Sequence, residues 1–322
     1  MALTKALSIA VLDDYQGVAA SLGDWASLPD ARTVFFSDHT SDREQVVARL
    51  SPFDVVVAMR ERTAFDAETI ARLPNLKMIA TLGKWNAAID MEAAKNRGIV
   101  VSGTDGGGLY GPAALTWGLV LAITRHLFAE VNSVRAGGWQ VGVGVDLDGK
   151  TLGLLGLGKL GTVIAGYGAA FGMRCIAWSQ NLTPERAAAA GVEAVSKDDL
   201  FRRADVLSVH LKLSERSRGL VGAREIALMK PSAYLVNTSR GPIVDEAALV
   251  TALQSRRIAG AALDVFDPEP LAHDHPFRSL PNVLATPHVG YVTENTYAMA
   301  YRQMVDDITA WCSGAPIRVL NP

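Results

Sequence analysis

Cysteine is scarce in this chain: Cys175 and Cys312 are the only two in 322 residues. That is too few, too widely spaced, for a disulfide framework or a zinc pattern, and it fits a reducing, cytoplasmic setting. No uninterrupted apolar stretch is long enough to span a bilayer as a helix. Residues 1–12 lack the long apolar region of a signal peptide and read as a first strand. There is no basic tail and no acidic block, and the formal net charge is −2. Nothing here attracts nucleic acid or an anionic membrane. Internal repeats are absent, and low complexity is confined to the alanines at 187–190. A metal is not expected: His273-Asp274-His275 brings two imidazoles close but has no further ligand cluster near it and reads as a polar loop.

What is present is a globular composition, 49% apolar and 20% charged, in a chain long enough for two cores. In the first third, Leu7–Leu12, Thr33–Phe36, Val55–Ala58, Met78–Ala80 and Ile99–Val101 read as strands, with helices at Arg43–Leu50 and Ala67–Leu73. A second unit starts near residue 104. Pro112–Phe128, apolar on most sides, predicts one buried helix, and a glycine-rich segment runs from Gly137 to Gly149. Strands follow at Cys175–Trp178, Asp205–His210, Ala233–Val236, Gly260–Asp264 and Asn282–Ala285. Helices fall at Pro184–Ala190, Asp198–Arg203, Asp245–Arg256 and Glu294–Ser313, the last stopped by Gly314. The alternation predicts an α/β chain of two Rossmann-like or flavodoxin-like lobes, with parallel sheets and a cleft between them.

The most specific signal is Gly156-Leu157-Gly158-Lys159-Leu160-Gly161, between the apolar run Thr151–Leu155 and a helical stretch from Thr162. The first glycine permits a tight turn, the second lets backbone approach a pyrophosphate, and the third lets helix and strand pack closely. The helix N-terminus offers unpaired N–H groups to phosphate, and Lys159 and Leu160 of the loop are counted among the cofactor-binding residues. A dinucleotide-binding loop normally has an acidic residue about 20 positions on, which binds the ribose 2′-hydroxyl. Here Cys175–Trp178 is followed by Ser179-Gln180-Asn181, and Ser179 takes the acid's place. The anionic bar to NADP is gone, yet no arginine follows directly to hold a 2′-phosphate. Arg174 points elsewhere by strand alternation. NAD or NADP is expected, with dual or NADP-leaning use.

Three groups follow strands of the second unit: Arg240 in Asn237–Pro242, Glu269 in Asp264–Pro270 and His288 in Thr286–Gly290. Arginine can fork a carboxylate. Histidine can move a proton near neutrality, and a glutamate beside it favours and orients the imidazolium. Each has a plain alternative: a loop cap, a rigid turn between prolines, a buried hydrogen-bonder. All three at one end of one sheet, opposite a cofactor loop, form a catalytic set.

These motifs resemble those of the D-isomer-specific 2-hydroxyacid dehydrogenases, the family of phosphoglycerate, glycerate and formate dehydrogenases. The resemblance covers almost the whole chain. It implies a cofactor domain at 104–291 inserted in a substrate domain of 1–103 plus 292–322, and hydride transfer between a nicotinamide and C2 of a 2-hydroxy or 2-keto acid. It also implies that Arg240 orients the substrate, that His288 is the acid/base and that Glu269 is its partner. Asp264 would meet the nicotinamide carboxamide; His210, Thr238 and Gly290 would border the cofactor. Thr81–Asn86 resembles the carboxylate-binding loop, with Leu82, Gly83 and Lys84 at substrate and backbone N–H groups near Gly83 meeting it. Met59-Arg60-Glu61-Arg62-Thr63 is similar to a basic segment of phosphoglycerate dehydrogenases, so Arg60 either binds a distal anionic group or forms a surface pair. The chain departs from the family at Ala114, where many relatives have glutamate, and at Lys212, where proline is common. A homodimer through Pro112–Phe128 and the Gly137–Gly149 arm is implied, with a small acid as substrate and neither nucleic acid nor membrane as partner. Two alternatives remain: phosphoglycerate dehydrogenase, and a cofactor-sensing corepressor of the same fold.

Overall fold

The computed structural model describes residues 6–28 and 30–322. The part of the first-strand reading that falls on residues 1–5 lies outside them. The chain divides into two compact units, 1–108 with 292–322, and 109–291.

In the first unit, β1 (Leu7–Val11), β2 (Ala31–Phe35), β3 (Val55–Ala58), β4 (Met78–Thr81) and β5 (Val100–Gly103) form a parallel sheet in the order β2-β1-β3-β4-β5. Every residue of β3 and β4 is buried. That burial on both faces explains runs such as Val55-Val56-Val57, which do not alternate. Helices α1 (Ala19–Leu22), α2 (Arg43–Leu50), α3 (Ala67–Ala71) and α4 (Met91–Asn96) cover the sheet. An aspartate starts each of the last three: Asp42, Asp66 and Asp90 accept the amides of Gln45, Thr69 and Ala93. The sequence reading leaves 91–96 unassigned, although Asp90 and the left-handed Gly98 (φ 68°) bracket it. The last helix, Glu294–Cys312, ends before Gly314 (φ 79°) and returns to this unit. It buries Asp307 completely, with Arg318 Nε 2.9 Å from one carboxylate oxygen and no partner for the other.

In the second unit, α5 (Tyr110–Thr124) and α6 (Leu127–Arg135) precede β6 (Thr151–Leu155), α7 (Lys159–Ala170), β7 (Arg174–Trp178), α8 (Pro184–Ala188) and β8 (Glu193–Ala194). Then come α9 (Lys197–Arg203), β9 (Val206–Val209), α10 (Ala223–Leu228), β10 (Tyr234–Asn237), α11 (Glu246–Gln254), β11 (Gly260–Leu263) and β12 (Val283–Ala285). The seven strands are parallel in the order β12-β11-β10-β9-β6-β7-β8.

The single helix expected over Pro112–Phe128 is corrected to two, bent by 67°. His126 adopts φ 53°, and the carbonyl of Thr124 accepts the amide of Val145 from the glycine-rich arm (2.8 Å). The Thr124 hydroxyl also bonds back to Val120 O at 2.7 Å, a contact that bends helices. Only α5 is buried; α6 exposes Leu127, Phe128, Val131 and Val134. Among the described residues no single helix is long and apolar enough to cross a membrane.

Candidate active site

The glycine loop links β6 to α7, and its three glycines sit in three different environments. Gly156 has φ 109°, and a Cβ there would lie 2.9 Å from the backbone of His210. A Cβ on Gly161 would lie 2.3 Å from the carbonyl oxygen of Gly156, so helix and turn touch through it. A Cβ on Gly158 would meet nothing within 4 Å. Gly158 begins α7 with no side-chain cap, so the first-turn amides, those of Lys159 and Leu160 included, face the space this glycine leaves open. That space, donors and all, fits a dinucleotide pyrophosphate.

His210 follows β9 beside this turn. Its Nε2 lies 2.9 Å from Ser208 Oγ, while Nδ1 is enclosed without a hydrogen-bond partner. Burial pushes the imidazole down to about 4, so the ring is neutral at physiological pH. On the other side of β6, Ser179 is half-buried and Gln180 exposed, just past β7. Arg174, at the opposite end of β7, donates to Gly149 O. Arg186, which the sequence reading passed over, folds back from α8 and donates to Asn181 O at 3.4 Å. Its place on a helix eight residues from the strand end hid it from a search of the residues that follow directly.

Arg240, Asp264 and His288 follow β10, β11 and β12, three adjacent parallel strands, at their carboxyl ends. The Asn237 side chain builds the first loop, accepting from Ser239 N and donating to Arg240 O, both at 3.0 Å. The Arg240 guanidinium donates to Ser239 O. Next, Gly241 presses on the neighbouring loop: a Cβ there would lie 2.2 Å from Phe266 O. That loop carries Glu269, whose Oε1 accepts the Phe266 amide (2.9 Å) and whose Oε2 lies 2.6 Å from His288 Nδ1. The glutamate is thus gripped on both oxygens, leaving His288 Nε2 as the proton-carrying end. His288 has φ 52° and is held by its flanks. Thr286 Oγ1, Val289 N and Gly290 N all donate to the Asp264 carboxylate, at 2.6, 2.9 and 3.0 Å.

Asp264 is 1% exposed, and burial raises its pKa against the pull of those three donors. Its carboxylate fastens the histidine loop, and Gly290 spends its amide there. Thr116 gives its proton to Pro112 O, so the Thr238 hydroxyl, 2.7 Å away, donates to Thr116.

In the first unit, Arg60 follows β3 with φ 55°, and its Nη1 lies 2.8 Å from where a Cβ on Gly83 would be. Arg60 and the loop after β4 are therefore neighbours. Asn86, fully buried, joins them by donating to Arg60 O (2.6 Å) and Thr81 Oγ1 (2.8 Å). In the same loop, the Gly83 amide donates to Thr104 Oγ1 and that of the buried Leu82 to Ala58 O. Lys84 is exposed and paired with Asp105 at 3.1 Å. Elsewhere, His275 turns to Glu246 at 2.9 Å, and among the described residues no group of three or more possible metal ligands gathers.

Residues 117–290 match the NAD-binding domain of the D-isomer-specific 2-hydroxyacid dehydrogenases. The chain is 39% identical over 266 residues to a glyoxylate reductase of Aeropyrum pernix, covering 80% of this chain and 79% of that one. It is 36% identical over 278 residues to a D-3-phosphoglycerate dehydrogenase of Archaeoglobus fulgidus, covering 86% of this chain but only 53% of that protein. A solved phosphoglycerate oxidoreductase from Vibrio cholerae O395 superposes with a TM-score of 0.91 at 38% identity, covering 96% of this chain and all of the other.

Proposed function

The chain belongs to the D-isomer-specific 2-hydroxyacid dehydrogenases, and from that membership we propose that it reduces a 2-keto acid to the D-2-hydroxy acid with a nicotinamide cofactor, or runs the reverse reaction. The observation that carries this reading is the 2.6 Å Glu269–His288 pair at the strand end beside Arg240. A bound nicotinamide supplies or accepts the hydride at substrate C2. In reduction, His288 Nε2 gives a proton to the keto oxygen, and Glu269 on Nδ1 orients the ring and stabilises its charged form. Arg240 holds the carboxylate and draws charge toward the carbonyl oxygen. Asp264 fixes the backbone on which His288 stands.

A phosphoglycerate-type substrate is the second reading, favoured by Arg60 beside Gly83. Cofactor use follows from the loop after β7. Ser179 sets no negative charge against a 2′-phosphate, and Arg186 makes no ion pair among the described residues, so the loop accepts NADPH as well as NADH. The exposed apolar face of α6, together with Trp139, Val141 and Val143 of the arm, supports a homodimer. Two free, widely spaced cysteines support a place in the reducing cytoplasm.

The test is a panel of 2-keto acids, glyoxylate and hydroxypyruvate among them, run with both cofactors. Turnover on at least one acid is expected, and His288→Ala lowers kcat by about 10²–10⁴ with cofactor affinity unchanged. Tight cofactor binding with silence across the panel would favour the sensor instead.

A further inference from the structure

The sheet order of the first unit reverses direction between β1 and β3, and the loops leaving those strands diverge there. A cluster of polar groups that the catalytic reading leaves unused fills this point. Asp13, two residues past β1, is 2% exposed and adopts φ 58°. Its carboxylate accepts the Thr63 hydroxyl at 2.8 Å and shares a 2.8 Å hydrogen bond with His39 Nδ1. Its backbone carbonyl accepts Arg62 Nη1 at 2.7 Å, and the Arg62 guanidinium lies over the Tyr15 ring, 4.6 Å from its centroid. The His39 ring is enclosed, its Nε2 buried without a hydrogen-bond partner. One aspartate thus ties together the segments that follow β1, β2 and β3.

The tie bears on Arg60. Residues 59–63 form a short loop with the non-glycine left-handed conformation at Arg60, which persists only where its surroundings fix it. Asn86 grips the Arg60 carbonyl from one side. Asp13 grips Thr63 and Arg62 from the other. Of the two arginines in the loop, Arg62 reaches Asp13 and Tyr15, while Arg60 reaches Gly83 through Nη1 and lies 3.5 Å from Glu61 Oε2 through Nε.

We propose that Asp13, with Thr63 and His39, is a positioning residue that holds the 59–63 loop so that Arg60 selects 2-keto acids carrying a second anionic group. The proposal rests on the reading of Arg60 as the distal anion binder. Asp13 touches neither substrate nor cofactor; it acts through the loop.

The experiment has two arms on the full-length protein. In the first, amide hydrogen exchange is measured across 59–63 in Thr63→Val, Asp13→Asn and Thr63→Ser. Asparagine tolerates the left-handed conformation, so Asp13→Asn tests the carboxylate and not the backbone. Exchange rises about tenfold in Thr63→Val and Asp13→Asn, the loss of roughly one buried hydrogen bond, and Thr63→Ser restores the wild-type rate. Unchanged exchange in both variants overturns the clamp whatever the kinetics show. In the second arm, kcat and KM are compared for 2-oxoglutarate and glyoxylate. Thr63→Val and Asp13→Asn raise KM for 2-oxoglutarate by about tenfold, with kcat and the glyoxylate KM held within about twofold. If Arg60→Ala lowers the preference for 2-oxoglutarate while the clamp variants leave it untouched, the positioning role is overturned and Arg60 stands. If Arg60→Ala leaves the preference unchanged, the reading of Arg60 fails, and the positioning role fails with it.

Discussion

Gly158 and Gly161 lie three residues apart in one loop and answer to different forces. A methyl on Gly161 would drive into the carbonyl of Gly156, 2.3 Å away, whereas a methyl on Gly158 would enter empty space. Gly161→Ala therefore costs about 1–3 kcal/mol of stability. Gly158→Ala leaves the melting temperature nearly unchanged but blocks the approach of phosphate, so cofactor affinity falls about tenfold or more. Thermal melting and a fluorescence titration with NADH separate the two, and equal destabilisation would refute the distinction. At this scale the sequence was most readable where chemistry is local. Arg240, Glu269 and His288 could be picked out because each follows a strand by a few residues. The fate of the Gly83 amide could not, since its acceptor is a hydroxyl 21 positions away. Nor could the three donors on Asp264, which only the loop path after β12 brings to it.

We expect the segment from β7 to α8 to set cofactor choice as a unit. Ser179 ends the strand and Arg186 folds back from the helix over the same turn. Ser179→Asp adds the missing acid and weakens NADPH binding at least tenfold while sparing NADH, and Arg186→Ala weakens NADPH alone by a smaller factor. Titrations with both cofactors, and with 2′-AMP against 5′-AMP, check this; equal losses for both cofactors would contradict it. Strands were legible here because parallel strands buried on both faces are continuous apolar runs. The break between α5 and α6 was hidden. Nothing in Ile123–Leu127 resembles a helix stop, and the bend depends on Val145, which reaches the Thr124 carbonyl from the arm.

Across the whole molecule, the apolar face of α6 and the arm predicts association. Phe128 is 62% exposed and Val143 92%, a large apolar surface for a monomer. Phe128→Glu should shift the chain from dimer to monomer in sedimentation, and a wild-type chain already monomeric would end the idea. One buried group in each unit also responds to acid, in opposite senses. His210, in the unit 109–291, titrates at about 4 when folded against an ordinary 6.5. Between those values the unfolded chain binds the proton and the folded one does not, so this unit loses stability as pH falls from 6.5 toward 4. Asp307, in the other unit, is raised from 3.8 to about 7 by burial, against the pull of Arg318. There the folded form keeps the proton, so stability is lost as pH rises from about 4 toward 7. Each effect is at most on the order of 3–4 kcal/mol. Calorimetry at pH 5 and 7.5 should move the two transitions in opposite directions, and Asp307→Asn should flatten only the first unit's dependence. Two α/β units with parallel sheets were readable from the alternation of runs. These two titrations were not, because each depends on enclosure by residues remote in sequence.

The contact of Gly241 with Phe266 has a consequence for change over generations. The Arg240 loop, to which we assign the substrate carboxylate, and the Glu269 loop, to which we assign the steering of the proton, share one backbone surface, with no side chain between them to trim or enlarge. A variant that lengthens or shifts either loop moves both, so substrate range and proton delivery cannot drift separately. On the reading of Arg60 as the distal anion binder, we expect new specificities to arise there, where a side chain can be exchanged while the Gly241–Phe266 contact stays as it is.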